Sequence, residues 1–346
     1  MGKRKIWAYC IFSIIVSLSL ALLYLAQPSG QLKSFEPWIY QAHQDHKMPH
    51  YQVKFFGVST LLFDDGKQQV LVDGFFSRPS LATTVFKKID SDSSKVNQII
   101  QSHNLKRTQA ILVTHSHYDH ALDVPFLAQQ LSQAKIVGSN STLNIARGAN
   151  IPETQLQLVQ AWQPMKFGAF TVTAIPSQHT PPTAVNNDLG EEITAPLTLP
   201  TRFPSFKEGG SFDYLIQHGE HVSLVKASTG AIPKQFQHLK VDTLFLGIAQ
   251  LSKQSEQFKQ NYLKETLATL QPKTVIPIHW DNFFAPIEPE LEFLPRFADS
   301  TPKSLNRLIQ AAEQQHVQVV LLSQPVSFGL KHELLSKISL CDTQLC

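Results

Sequence analysis

The 346 residues include 42% hydrophobic and 16% charged side chains, enough apolar mass for one large globular domain or two modest ones, with one the better expectation. The formal charge of +3 is accounted for by Lys3, Arg4 and Lys5, which leaves 27 basic and 27 acidic residues in the rest of the chain. A body so evenly balanced argues against a dedicated nucleic-acid surface, which would show as a basic stripe, and no nucleic-acid partner is expected.

Those three cations precede residues 6–26, a run of 21 without a charge and rich in Ile, Leu and Val. As a helix this run spans about 30 Å, the thickness of a bilayer core, so residues 1–26 read as an export signal or a transmembrane anchor. Cleavage after Ala21 would put Ser19 at the −3 position. The apolar run continues through Ala26, however, and Tyr24 is too bulky to serve at −3 for a later cut, which favours an uncleaved, single-pass anchor. With the positive end inside, everything beyond Ala26 is expected on the non-cytoplasmic side, periplasmic or extracellular. Residues 27–52 are polar, carry Pro28, Gly30 and Pro37, and read as a spacer that keeps the domain within roughly 90 Å of the membrane. His43, His46 and His50 within it are expected to be solvated.

Residues 53–55, 61–63 and 69–72 are short apolar runs broken by Gly57 and by Asp64-Asp65-Gly66, a strand and hairpin series ending in Asp73-Gly74. A helix is predicted over 122–131, strands over 135–138 and 170–175, then an irregular stretch over 180–210 with five prolines. So long a loop in a compact domain is usually functional. Its Leu197, Leu199, Phe203 and Phe206 are expected to offer an apolar wall to a substrate or to lipid. Strands over 212–216 and 222–225 flank a hairpin turn that leaves His218 and His221 exposed. A strand over 243–247, a helix over 257–270, a strand over 274–278, a helix over 303–315 and a strand over 317–322 complete a domain running from 53 to 330. In the tail, 331–346, Cys341 and Cys346 either close a small disulfide loop or remain two thiols.

The apolar run 110–113 feeds directly into Thr114-His115-Ser116-His117-Tyr118-Asp119-His120. Three imidazoles and a carboxylate in six residues form a metal-ligand cluster, because both offer lone pairs that suit a borderline cation such as zinc. Alternate residues of an extended segment share a face, so His115, His117 and Asp119 can converge while His120 begins the next element.

His115-x-His117-x-Asp119-His120 resembles the signature of the metallo-β-lactamase superfamily, and the resemblance extends from about Val53 to about Val320. It implies an α/β, layered αββα sandwich and a metal-dependent hydrolase. It further implies that His179 joins His115 and His117 around one metal, and that His279 joins Asp119 and His120 around the other. Asp73 matches an Asp that supports a metal ligand from behind. The family's bridging Asp falls at Ser228, in Lys226-Ala227-Ser228-Thr229-Gly230, and a neutral hydroxyl is a poor bridge between two dications. One or two zinc ions are implied, with manganese or iron as other divalent choices. A metal held by imidazoles lowers the pKa of a bound water to about 7, making hydroxide the nucleophile, with Asp119 orienting it or carrying its proton. The expected substrate is a small or lipid-like molecule, a phosphodiester before an ester or lactone. The alternative is a metal-binding protein of this fold with reduced or lost turnover. Residues and resemblance leave the oligomeric state open.

Overall fold

The computed structural model describes residues 3–41, 50–183 and 187–330. His43, His46, Cys341 and Cys346 lie outside the described residues. The strands are β1 (Gln52–Phe55), β2 (Leu61–Asp64), β3 (Gln69–Val72), β4 (Thr108–Leu112), β5 (Lys135–Gly138), β6 (Leu156–Leu158), β7 (Pro164–Phe167), β8 (Phe170–Pro176), β9 (Phe212–His218), β10 (His221–Lys226), β11 (Thr243–Gly247), β12 (Thr274–Ile278), β13 (Gln318–Val319) and β14 (Ser327–Gly329). The helices are α1 (Lys3–Ala26), α2 (Leu81–Phe86), α3 (Ser93–Ser102), α4 (Tyr118–Ala121), α5 (Val124–Gln130), α6 (Asn140–Gly148), α7 (Glu256–Leu263) and α8 (Thr301–Gln314).

Among the described residues the strands form two sheets, in the orders β14-β1-β2-β3-β4-β5-β6 and β13-β12-β11-β10-β9-β8-β7. Each sheet is antiparallel at one end and parallel toward the other: β3, β4, β5 and β6 run parallel, as do β10, β11, β12 and β13. Strands covered on both faces need apolar residues at every position. Thus β11 and β12, both uninterrupted apolar runs apart from their leading Thr, are buried throughout. Helices cover the outer faces, as the amphipathic α8 does with Leu305, Leu308, Ile309 and Ala312 turned inward. The result is the expected αββα sandwich with one continuous core.

No residue of Tyr9–Ala26 in α1 is buried against the body, and the helix is long and apolar enough to cross a membrane. The expected spacer is a different matter. Directly after α1, Phe297 N donates to Leu25 O (3.1 Å), Arg296 N to Gln27 O (3.0 Å) and Ser29 N to Leu294 O (2.9 Å), while the Arg296 guanidinium lies 4.6 Å over the Tyr24 ring. Phe35 is buried edge-on against Phe293, and Tyr40 N donates to Leu321 O. Residues 28–40 are therefore docked on the body, because Phe35, Trp38 and Ile39 have apolar surface to bury there. The body sits at the end of α1 with no loose tether between them. His50 is exposed, as expected of a solvated residue. His218 and His221, expected to be exposed, are half-buried, with the His218 ring stacked 4.4 Å from the Tyr51 ring.

Candidate metal centre

The ligand cluster is built where β4 ends. Val113 N continues the parallel ladder to Val137 O, and the chain then leaves the sheet as an extended turn that enters α4. His115 and His117 fall on the turn, while Asp119 and His120 sit in the first turn of α4. His179 follows β8, and His279 is the first residue beyond β12. His279 has a left-handed backbone with φ of 55°, and its N–H donates to Val58 O at 2.6 Å. Val58 is itself left-handed at φ of 52°, an unusual state for a β-branched residue and a marker of strain held by its surroundings.

Two donor groups result. His115, His117 and His179 bring one ligand atom each to within 4.8 Å of one another, and Asp119, His120 and His279 do the same. The His115 and His120 rings are only 3.8 Å apart, so the two groups adjoin. Two of the imidazoles are steered by what holds their other nitrogen. His120 Nδ1 donates to Asp73 Oδ2 (2.8 Å), and His179 Nδ1 donates to Thr180 O (3.0 Å). Asp73 also accepts from Thr114 N (2.8 Å), Thr114 Oγ1 (3.0 Å) and Ser59 Oγ. His115 Nε2 and His120 Nε2 are buried without a hydrogen-bond partner, the latter 3.6 Å from Asp119 Oδ2. Buried polar atoms without partners are rare and costly, so two of them facing a cluster of donors fit cations held between these side chains.

Burial, together with the neighbouring imidazoles, keeps His115 well below its ordinary pKa and pushes His179 down to about 3, so both are neutral at pH 7. Burial alone would raise Asp119, but His120 and the hydrogen bond from His279 outweigh it and hold the carboxyl below the usual carboxylate range. Neutral imidazoles beside an ionised carboxylate form a donor set ready for a divalent cation.

The loop at the expected bridge position packs against the His179 segment. Thr229 N donates to Thr180 Oγ1 (3.0 Å), and a Cβ on Gly230 would come within 2.5 Å of His179 O, so only glycine permits this approach. Ser228 is buried in this loop. The 180–210 stretch folds over the ligand turn: Asp188 Oδ1 lies 3.1 Å from His117 Nε2, and Glu208 O accepts from Ser116 N at 3.0 Å. Its apolar wall differs from expectation. Phe206 is only 2% exposed and belongs to the core, while Leu197, Leu199 and Phe203 pack onto that core. Burying them is worth more than leaving them in water, so they anchor the loop instead of presenting it.

Sequence reasoning missed three supports. Asp188 is an isolated carboxylate in an aperiodic stretch, and nothing local marks it. Ser59 lies in a turn and acts only through Asp73 and His120. Arg78 and Asp281 form a buried ion pair at 2.6 Å, and Asp281 Oδ1 also holds Val58 N at 2.6 Å, pinning the turn that receives His279. Only the adjacency of Asp281 to His279 could have flagged it.

Residues 68–280 match the model of the beta-lactamase superfamily domain. The chain belongs to that superfamily. Among solved structures it is similar to a metallo hydrolase from the hyperthermophilic archaeon Ignicoccus hospitalis, at 15% identity with a TM-score of 0.51, covering 81% of this chain and 99% of that one. It is also similar to a possible metal-dependent hydrolase from Veillonella parvula, at 12% identity, TM-score 0.50, covering 82% and 100%. A third is CmlA, a diiron β-hydroxylase from Streptomyces venezuelae, at 13% identity and TM-score 0.52, covering 83% of this chain but 55% of that one. No curated protein sequence matches significantly. Such likenesses bear on fold. Together with the two donor groups, membership of the superfamily makes the protein a metal-dependent hydrolase.

Proposed function

We propose that the protein is a membrane-tethered zinc hydrolase that cleaves phosphodiesters carried on an apolar tail, on the non-cytoplasmic side of the membrane. The observation that carries this reading is a line of aromatic rings leading from the end of α1 to the donor groups. Phe297, whose N–H pairs with Leu25 of α1, has its ring 6.5 Å from Phe284, which lies 4.5 Å from Phe283. Phe283 in turn is 5.9 Å from the His279 ring and 6.4 Å from Tyr118, which meets Phe203 at 6.1 Å. Phe297 is exposed and Phe283 and Phe284 are half-buried, so an apolar chain leaving the bilayer beside α1 would meet aromatic surface up to the site.

In this reading His115, His117 and His179 hold the tighter cation, and Asp119, His120 and His279 the weaker. When bound, such cations lower the pKa of a water to about 7 and supply positive charge for a developing oxyanion. The Asp119 carboxylate, ionised at neutral pH, orients the attacking water and takes its proton. Asp73 keeps His120 in one tautomer, and the packed turns around Val58 and Gly230 keep the donors fixed. Ser228 leaves the site one negative charge short of a carboxylate-bridged one. That excess positive charge supports an anionic substrate over an ester or lactone.

The test uses full-length protein in lipid nanodiscs, with elemental analysis after purification without chelators. Expected are one tightly held zinc with a second lost on dialysis, and cleavage of a long-chain phosphodiester lipid as well as of bis(4-nitrophenyl) phosphate. Phe284→Ser with Phe297→Ser should lower turnover of the lipid about tenfold more than that of the soluble ester, the order of one lost side-chain contact. Reporter fusions after Gly30 and after Cys346 should both report a non-cytoplasmic location. Metal-loaded protein that cleaves a lactone or carboxylic ester but neither phosphodiester would overturn the substrate class. No turnover of any of them would leave the metal-binding alternative.

A further inference from the structure

We propose that Asp188 is the positioning carboxylate of the first donor group, fixing the proton of His117 on Nε2 so that Nδ1 faces the cation. The inference rests on the reading of His115, His117 and His179 as ligands. Both Asp188 oxygens lie within reach of His117 Nε2, at 3.1 and 3.2 Å, so an N–H there is shared by the whole carboxylate. A proton held on Nε2 leaves the ring's lone pair on Nδ1. His120 and His179 are fixed the other way round, through Nδ1, by Asp73 and by the Thr180 carbonyl. His117 is thus the member of its group that needs a partner on the far nitrogen, and that partner comes from 71 residues away.

The placement is built from several bonds. Asp188 Oδ2 accepts Glu208 N (3.2 Å), and Asp188 O accepts Glu191 N (2.9 Å). The Glu208 carboxylate accepts Ser211 Oγ (2.5 Å), Gly210 N (3.1 Å) and Gly190 N (3.3 Å), while its carbonyl takes Ser116 N. The insertion therefore grips the ligand turn twice, at the backbone beside His117 and at the His117 ring. Asp188 is not one of the converging donors, so it acts through His117. Those three donors are all imidazoles, with no carboxylate among them. A carboxylate behind one of them raises that ring's basicity, and loss of such a partner typically costs 10- to 100-fold in metal affinity.

The test compares Asp188→Asn, Asp188→Glu and Ser211→Ala in the full-length protein, by zinc competition against a chromophoric chelator, by the visible spectrum after cobalt substitution, and by melting of the metal-free form. Asp188→Asn should bind the tighter zinc about 10- to 100-fold more weakly and shift the cobalt bands, with Asp188→Glu recovering part of the affinity. Ser211→Ala, which loosens the same loop without touching the carboxylate, should lower melting yet keep zinc affinity within about threefold. Wild-type affinity and spectrum in Asp188→Asn would overturn the proposal. Equal affinity losses in Asp188→Asn and Ser211→Ala would also do so, reducing Asp188 to a loop staple. Wild-type protein that binds no zinc would instead sink the underlying metal-site reading.

Discussion

Replacing Asp73 with Asn is the most informative single perturbation of the second donor group. The two side chains have nearly the same volume, and both tolerate the left-handed backbone that residue 73 adopts at φ of 55°. Only hydrogen-bonding character and charge change. The carboxylate, fully buried, accepts from Thr114 N on Oδ1, and from His120 Nδ1, Thr114 Oγ1 and Ser59 Oγ on Oδ2. An amide cannot accept on both sides. If its NH2 faces Thr114 N–H, a buried donor meets a donor; if it faces His120, the imidazole must move its proton to Nε2, the nitrogen the cation needs. Either arrangement forfeits a charge-assisted bond and strands a buried donor, costing about 1–3 kcal/mol. At about 2–4 °C per kcal/mol for a large domain, the metal-free protein should melt roughly 2–12 °C lower. Affinity for the weaker metal should fall about 10- to 100-fold while the tighter one is retained. Calorimetric melting and zinc titration of the Asp73→Asn protein measure both. A variant that holds its second metal at wild-type affinity would refute the assignment of Asp73 as the support of His120.

Asp281→Ala strands the buried Arg78 guanidinium and frees Val58 N, so it should cost about 3–5 kcal/mol and release the metal at the His279 side; melting within a degree or two of wild type would contradict this. Ser228→Asp should tighten the second metal, because a carboxylate there neutralises charge shared by the cations, and an unchanged binding isotherm would show that Ser228 is not at the bridge. Metal-free protein should lose stability as the pH falls below about 6.5. His115 and His179 stay neutral in the fold while the unfolded chain takes up protons, so the loss begins at the unfolded pKa and continues toward the folded value, about 3 for His179. Equal urea midpoints at pH 7.5 and pH 5 would rule that out.

What the sequence by itself determined is local. The cluster from His115 to His120 was legible as a set of donors because its residue types crowd into six positions, but spacing alone would have grouped Asp119 with His115 and His117, whereas the turn into α4 carries it to His120 and His279. His179 and His279 were legible because apolar runs of strand length end at them, and a strand end is where a sheet can deliver a side chain. The strand boundaries at β3, β5, β11 and β12 followed for the same reason, since period and punctuation are properties of neighbouring residues.

The tertiary structure decided whatever depends on which distant surfaces meet. Asp188 looks like any loop acid until the insertion closes on His117, and Arg78 pairs with Asp281 across 203 residues. Phe206 could as well have faced lipid as the core, since either removes its ring from water; the folded loop carries it into the core, where it is 2% exposed. Residues 28–40 read as a polar spacer because Phe35, Trp38 and Ile39 show no regular period. Their apolar surface nevertheless finds Phe293 and Leu321 to pack on, and that burial brings the catalytic body directly to the end of α1.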